Sequence, residues 1–216
     1  MPSMADKVKV TRLTEAQIGP TAEMLARFLN DHPIGAIFGD DPEKRMRKFK
    51  DGYAPLLRYC CAHGHPQVAT IGNKLVGLAL WMPPHGSRAT PEEEREYGLD
   101  LVPATFGEPV ERLRPLGDLL RDLHTRDMKG PHWFLATLAK DPTLRGKGIT
   151  SGLMRPVLLR ADEGQLPCYA DTIQPPLVPF FQRHGFRILV EGTEPQTMIQ
   201  YWTLRRDPEK LPTSNS

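Results

Sequence analysis

Residues 132–164 constrain the fold most tightly. The apolar run "HWFLATLAK" (132–140) has β character and passes through "DPTLRGKGI" (141–149) into a helical run. That run carries Ile149, Leu153, Val157 and Leu158 on one side. A strand feeding a helix through so short a turn lays the helix back over a sheet. This points to an α/β architecture.

The rest of the chain agrees. "VKVTRL" (8–13) alternates apolar and polar residues and predicts a strand. Thr14 and Gln17 form a capping-box pair ahead of Ile18, Ala22, Leu25 and Leu29 at helical spacing. Residues 30–41 are expected to be a loop, and Asp41-Pro42 opens the next helix as N-cap and N1. "PQVATIG" (66–72) and "KLVGLALWMPP" (74–84) meet at Gly72-Asn73, a hairpin signal. Thr90-Pro91-Glu92-Glu93 caps a charged helix, and 109–127 is another amphipathic one. "CYADTI" (168–173), "FRILVEG" (186–192) and "TMIQYWTLR" (197–205) are strands, with a short helix at 176–184. The expected order is β-α-α-β-β-α-α-β-α-β-α-β-β. It predicts a single mixed sheet of about seven strands flanked by helices. Residues 1–206 form one domain in this reading, and 207–216 a flexible tail.

Composition removes several function classes. The net charge of +2 gives no general nucleic-acid signal. No apolar run approaches the roughly 20 residues of a membrane span. "MPSMADKVKV" has no apolar signal-peptide core, so the expected location is cytoplasmic. Three cysteines, with Cys60 and Cys61 adjacent and no CxxC spacing, predict buried free thiols and no metal site.

The turn after residue 140 looks like an anion cradle. Gly146 and Gly148 let backbone N–H groups approach a ligand closely. The helix N-terminus adds unpaired donors and roughly half a positive charge. Arg145 and Lys147 add full charges, and together these suit a pyrophosphate. The P-loop spacing GxxxxGK[ST] is not met. A Rossmann GxGxxG would need glycine where Ser151 stands, and would follow an early strand rather than a late one.

In this context "DPTLRGKGITSGLM" resembles the signature of the GCN5-related N-acetyltransferases (GNAT): Arg or Gln, two residues, Gly, one residue, Gly or Ala. Arg145 and Gly148 match, and Thr150 stands at the small-residue place. "CYADTIQPPLVPFFQRHGFRI" resembles the family's strand, Asn and "PFYxRxGF" stretch, with Gln174 for the asparagine and Phe181 for the tyrosine. "HWFLATLAKDP" and "QYWTLRR" look like the subgroup that includes puromycin N-acetyltransferase. The likeness is clear over 132–206 and rests mainly on element order over 8–131.

The resemblance implies the GNAT fold and acyl transfer from acetyl-CoA, or another acyl-CoA, to the amine of a small molecule such as an antibiotic or natural product. It implies pyrophosphate binding by Gly146, Lys147, Gly148, Ile149, Thr150 and Ser151, with Arg145 alongside. It implies pantetheine pairing along Leu138, Ala139 and Lys140, with Gln174 and Phe181 on the donor side. Phe181 lacks the hydroxyl that in many members protonates the leaving thiolate, and Tyr201 is the candidate substitute. Asp171 ranks first as base for the amine, ahead of His132, Asp31 and His32. Asp31, His32, Phe38 and Trp81 are expected at the acceptor pocket. The donor-side departures also admit an acyl carrier protein as donor, or a CoA-binding protein with impaired catalysis. Dimers are common in the family, so a homodimer is an allowed assembly.

Overall fold

The computed structural model describes residues 7–30, 33–85, 89–144 and 146–209. Local signals place the first elements. Strand β1 (Val8–Arg12) is followed by a 3₁₀ turn at Glu15–Gln17, where Gln17 Oε1 accepts from the Thr14 backbone N–H at 3.1 Å. Helix α1 (Ile18–Asn30) buries Ile18, Ala22, Met24 and Leu25. A second 3₁₀ turn spans Pro33–Phe38. Asp41 caps α2 (Pro42–His63) by accepting from the N–H groups of Glu43 and Lys44 at 3.0 and 3.1 Å. Strands β2 (Gln67–Ile71) and β3 (Lys74–Met82) form the expected hairpin. Gly72 takes φ +56° at its tip, the left-handed conformation that a tight hairpin needs and glycine adopts without strain.

Helix α3 (Pro91–Tyr97) begins with the capping box of Thr90 and Glu93. A 3₁₀ turn at Leu99–Leu101 and a short helix α4 (Val102–Phe106) precede α5 (Glu108–Asp127). The sequence reading left α4 out, because five residues are too few to show helical periodicity. Then come β4 (Trp133–Lys140), α6 (Ile149–Glu163), β5 (Cys168–Thr172), α7 (Leu177–Arg183), β6 (Arg187–Thr193) and β7 (Gln200–Arg206).

The seven strands form one sheet in the order β1-β2-β3-β4-β5-β7-β6. Every neighbouring pair is antiparallel except β4 and β5, which are parallel. The mixed α/β sheet flanked by helices is thus as expected. Alternation along the strands splits the core in two. On one face, Val76, Ala79, Trp81, Leu135, Cys168, Ala170, Trp202 and Leu204 pack against α6 and α7. On the other, Val68, Leu78 and Leu80 meet α1 and α2, while Tyr201 meets Leu116 and Leu123 of α5. Gly77 lets α6 sit close to the sheet: a Cβ there would come within 2.9 Å of Ile149 and 3.0 Å of Leu153. Among the described residues no helix is long and apolar enough to cross a membrane. The three cysteines are free, with Cys60 and Cys168 buried.

Candidate active site

Strands β4 and β5 pair over only three positions, Trp133↔Cys168, Phe134↔Tyr169 and Leu135↔Ala170. Beyond these, β4 stays with β3 as far as Gly77↔Lys140, while β5 stays with β7 as far as Thr172↔Trp202. The two strands therefore splay apart in the middle of the sheet. The divergence starts at a bulge. Leu80 pairs with Thr137 and Trp81 with Leu135, which leaves Ala136 as the extra residue on β4. The edge of β4 that faces away from β3 lacks a strand partner past Leu135. Its backbone donors and acceptors there, at Ala136–Lys140, are available to an extended ligand that carries amides.

The β4 edge leads into the glycine turn, which side chains hold in shape. Asp141 accepts from the Thr143 N–H at 3.0 Å and its hydroxyl at 2.5 Å, with Lys74 Nζ at 3.5 Å. These hydrogen bonds, the hydroxyl's above all, keep the Asp141 carboxyl below its usual pKa despite its burial. Gly146 and Gly148 take φ of +71° and +69°. Among the described residues, none beyond the chain neighbours lies within 4 Å of where a Cβ would stand at either, so the backbone there faces open space. Gly148 is the N-cap of α6 and supplies no side-chain cap, and the first helical bond is from the Gly152 N–H to Gly148 O at 2.9 Å. The preceding N–H groups of Ile149, Thr150 and Ser151 have no acceptor within the helix. Ile149 is buried and anchors the helix start, whereas Lys147 is exposed. Ser151 Oγ donates to His184 Nε2 at 3.1 Å, and His184 Nδ1–H donates to Phe180 O at 2.9 Å. This pins the end of α7 to the first turn of α6. The geometry fits an anionic ligand with an extended, amide-bearing arm. Arg145 lies outside the described residues.

Asp171 sits one residue past the last β4–β5 pair, at the mouth of the splay, and opposite Thr203. It faces α5, because its neighbours Ala170 and Thr172 point to the other side of the sheet. Burial pushes its pKa up to about 6, and no charged partner offsets this. Gln174 follows in the turn after β5, where its N–H donates to Thr172 Oγ1 at 3.1 Å.

The other expected residues are more dispersed. His132 lies just before β4, across the paired segment 133–135 from the splay. Its Nδ1–H donates to Gly130 O at 2.6 Å, and its Nε2 lies 2.7 Å from His124 Nε2. Tyr201 lies across its partner Gly192 on β6, where a Cβ would come within 2.7 Å of the hydroxyl. That carries the phenol away from β5. Phe181 is 1 % exposed and packs against Phe180 and Phe186 at centroid distances of 5.7 and 5.3 Å. Trp81 is fully buried beneath α6, and Phe38 is buried against Phe49 and Phe106. Both rings pack into the core among the described residues. Strand alternation at the β3–β4 bulge turns Trp81 inward, and the 3₁₀ turn folds Phe38 into an aromatic cluster. Asp31 and His32 lie outside the described residues.

Sequence reasoning missed a cleft of about 430 Å³ lined by Ile37, Glu111, Leu113, Pro115, Gln196 and Ile199, among others. It lies between the second 3₁₀ turn, α5 and the β6–β7 loop. Ile199 and Ile173, the latter directly after β5, both pack against Leu116, Leu123 and Tyr201, so the cleft lies on the face of the sheet that the end of β5 shares. Tyr169 and His124 were missed too: they stack at 4.3 Å with planes 4° apart behind Asp171. Tyr169 could have been found, since residues two apart on a strand share a face. His124 could not, because its meeting with β5 is tertiary.

The family model of the acetyltransferase (GNAT) family matches residues 36–186. Among solved structures, the C-terminal condensation domain of Ebony in complex with beta-alanyl-dopamine superposes with a TM-score of 0.68 at 11% identity, covering 93% of this chain and 99% of that one. A Drosophila melanogaster polyamine N-acetyltransferase that forms N-acetylagmatine gives 0.64 at 16% identity, covering 93% and 100%. Arylalkylamine N-acetyltransferase 2 from Aedes aegypti gives 0.61 at 15%, covering 94% and 99%. At these identities the superpositions establish the shared fold. With the family match over most of its length, the chain belongs to the acetyltransferase (GNAT) family.

Proposed function

We propose that this chain transfers an acetyl or other acyl group from acyl-CoA to the amine of a small molecule. The observation that carries the reading is the continuity of the β4–β5 splay with the open glycine cradle at its end. In this reading the N–H groups of Gly146 to Ser151, with the charges of Arg145 and Lys147, hold the pyrophosphate. The backbone of Leu138, Ala139 and Lys140 pairs with the pantetheine arm. Gln174 and Phe181 border the donor side, Phe181 as an apolar wall. The donor supplies its acyl group as a thioester.

Asp171 takes the proton of the attacking amine at the mouth of the splay. A pKa of about 6 leaves it mostly ionised at pH 7 and keeps it a useful base. Backbone groups freed at the Ala136 bulge are positioned to stabilise the developing oxyanion. Phe181 offers no proton, and the Tyr201 hydroxyl lies over β6. The thiolate leaves without help from either residue. This is tolerable because a thiol has a pKa near 8.5, and a missing acid typically costs about 10²–10⁴ in rate.

The cleft beside the end of β5 offers an apolar wall of Ile37, Leu113, Pro115 and Ile199 to the body of an amine, with Glu111, which also pairs with Arg114 at 3.4 Å, and Arg112 among its polar lining. Structural neighbours that acetylate agmatine or arylalkylamines support an amine acceptor of this kind. The test is thiol release from acetyl-CoA in the presence of a panel of polyamines and arylalkylamines. Turnover should appear and fall by about 10²–10⁴ in Asp171→Asn. No release with any amine, together with no binding of acetyl-CoA, would reject the reading.

A further inference from the structure

Two side chains flank the carboxyl of Asp171 on the α5 face of the sheet. Thr203 is its direct partner across the β5–β7 ladder. Tyr169 lies two residues earlier on β5 and so shares its face. Tyr169 and Thr203 are both fully buried, and neither hydroxyl has a hydrogen-bond partner among the described residues. They are close to one another and to Asp171. Burial raises the phenol pKa, the Asp171 charge raises it further, and the Thr203 hydroxyl partly opposes both. Even so, the two hydroxyls fall short of hydrogen-bond geometry with each other.

Native proteins rarely leave one buried hydroxyl unpaired, and here two flank the same carboxyl. Side chains directly opposite on neighbouring strands have Cβ atoms about 4.5–5.5 Å apart. Their heads can bridge through one water, and three polar partners are what a buried water typically takes. The phenol is fixed in position. His124 stacks on it at 4.3 Å, and His124 is itself held by His132, which donates to Gly130 O.

We propose that Tyr169 Oη and Thr203 Oγ1 hold a water molecule against the Asp171 carboxylate, and that this hydration offsets part of the cost of burying its charge. The proposal rests on the reading of Asp171 as the base. The water is a ligand of the carboxylate and not a reactant. Its hydrogen bond opposes the effect of burial, which disfavours the charged form.

The other charged and titratable groups on this face do not take over that role. Arg126 of α5 is paired with Asp127 through bonds of 2.7 and 2.9 Å. Arg205 of β7, opposite Tyr169, is paired with Asp207 at 2.7 Å. His124 is kept neutral by burial and by His132 beside it, with its pKa down at about 4. His132 is occupied by His124 and Gly130, and Tyr201 lies over β6.

The experiment is a carbon-13 NMR titration of the aspartate carboxyl carbons, with the Asp171 signal identified by its loss in Asp171→Asn. Tyr169→Phe and Thr203→Val should each raise the Asp171 pKa by roughly one unit, since two to three hydrogen bonds take a carboxyl down by about two. Thr203→Ser, which keeps the hydroxyl, should titrate like the wild type. The double variant should shift no further than the larger single one, because both changes release the same water. In an active preparation the acid limb of kcat/KM should move upward in step. Wild-type titration in both Tyr169→Phe and Thr203→Val, with raised unfolding midpoints, would overturn the proposal, because dry hydroxyls are better removed. Additive shifts in the double variant would also overturn it, by pointing to two separate bonds. If Tyr169→Phe does not fold, the contrast between Thr203→Val and Thr203→Ser decides. The titration needs no turnover. Failure of the transferase reading therefore shows as a shifted pKa without activity, and failure of this proposal as an unshifted pKa in an active enzyme.

Discussion

Asp171 carries its charge at a cost to the fold, because burial raises its pKa from 3.8 to about 6. The unfolded chain ionises first as pH rises. Stability is therefore lost between about pH 4 and 6, and the loss levels off at about 3 kcal/mol. Asp171→Asn should then raise the thermal midpoint at pH 8 and leave it nearly unchanged at pH 3.5, while acyl transfer falls. A midpoint at pH 8 equal to the wild type would show that the carboxylate is not disfavoured there. At this scale the sequence was informative where a residue's place follows from strand position or motif. Asp171 could be placed at a strand end and Gly148 at a helix start. Trp81 and Phe38 could not be placed, because a bulge and an aromatic cluster decide which way they point. The partners of His132 were equally hidden, since His124 reaches it from α5.

Helix α6 joins the cradle to the sheet, and its closeness depends on Gly77. A methyl group at that position would press on Ile149 and Leu153 and come within 3.2 Å of Ala139 O. Gly77→Ala should push the first turn of α6 outward. The expected cost is about 1–3 kcal/mol of stability, together with weaker acetyl-CoA binding, measured by denaturant unfolding and calorimetry. Loss of stability with unchanged binding would show that the cradle does not depend on the seating of α6. Most elements were legible in the sequence because caps and periodicity are local: Asp41-Pro42, Thr90 with Glu93, and Gly72-Asn73 all act where they stand. The splay and the Ala136 bulge were not legible from residue patterns. They arise from pairing β4 with β3, some sixty residues away, and releasing it from β5. Only the family resemblance pointed toward the splay, through the pantetheine pairing expected along Leu138, Ala139 and Lys140.

At the scale of the whole molecule, acid sensitivity between pH 7 and 4 is set by His65 and His124 against Asp171. His65 is held neutral by burial and by the nearby charges of Arg160 and Arg12, with its pKa down at about 4. Arg12 also donates to its Nδ1 at 2.9 Å. His124 is lowered to about 4 as well. Their pKa values are depressed, so the unfolded chain takes up protons first, and stability is lost as pH falls from about 6.5 to 4. The upper bound is about 3 kcal/mol for each histidine. Asp171 gives back a similar amount between pH 6 and 4, leaving a net loss. Asp162 is bound bidentately by Arg206 at 2.7 and 2.8 Å and has its pKa held down. Asp141 is held down as well, so both add to the loss below about pH 4. The thermal midpoint should fall steadily from pH 7 to 4, and fall further in Asp171→Asn. A flat midpoint over that range would contradict this balance.

The central claim is that the glycine cradle and the splayed strands hold an acyl-CoA, and calorimetric titration with acetyl-CoA tests it most directly. Wild-type protein should bind one equivalent with a dissociation constant of about 1–100 μM, in the range of typical substrate affinities. Gly146→Asp should abolish binding without unfolding the chain. Its side chain would enter open space at φ +71°, a conformation aspartate tolerates, and would set a carboxylate where the pyrophosphate is to lie. No heat from the wild type up to about 1 mM acetyl-CoA, or unchanged binding by Gly146→Asp, would contradict the claim.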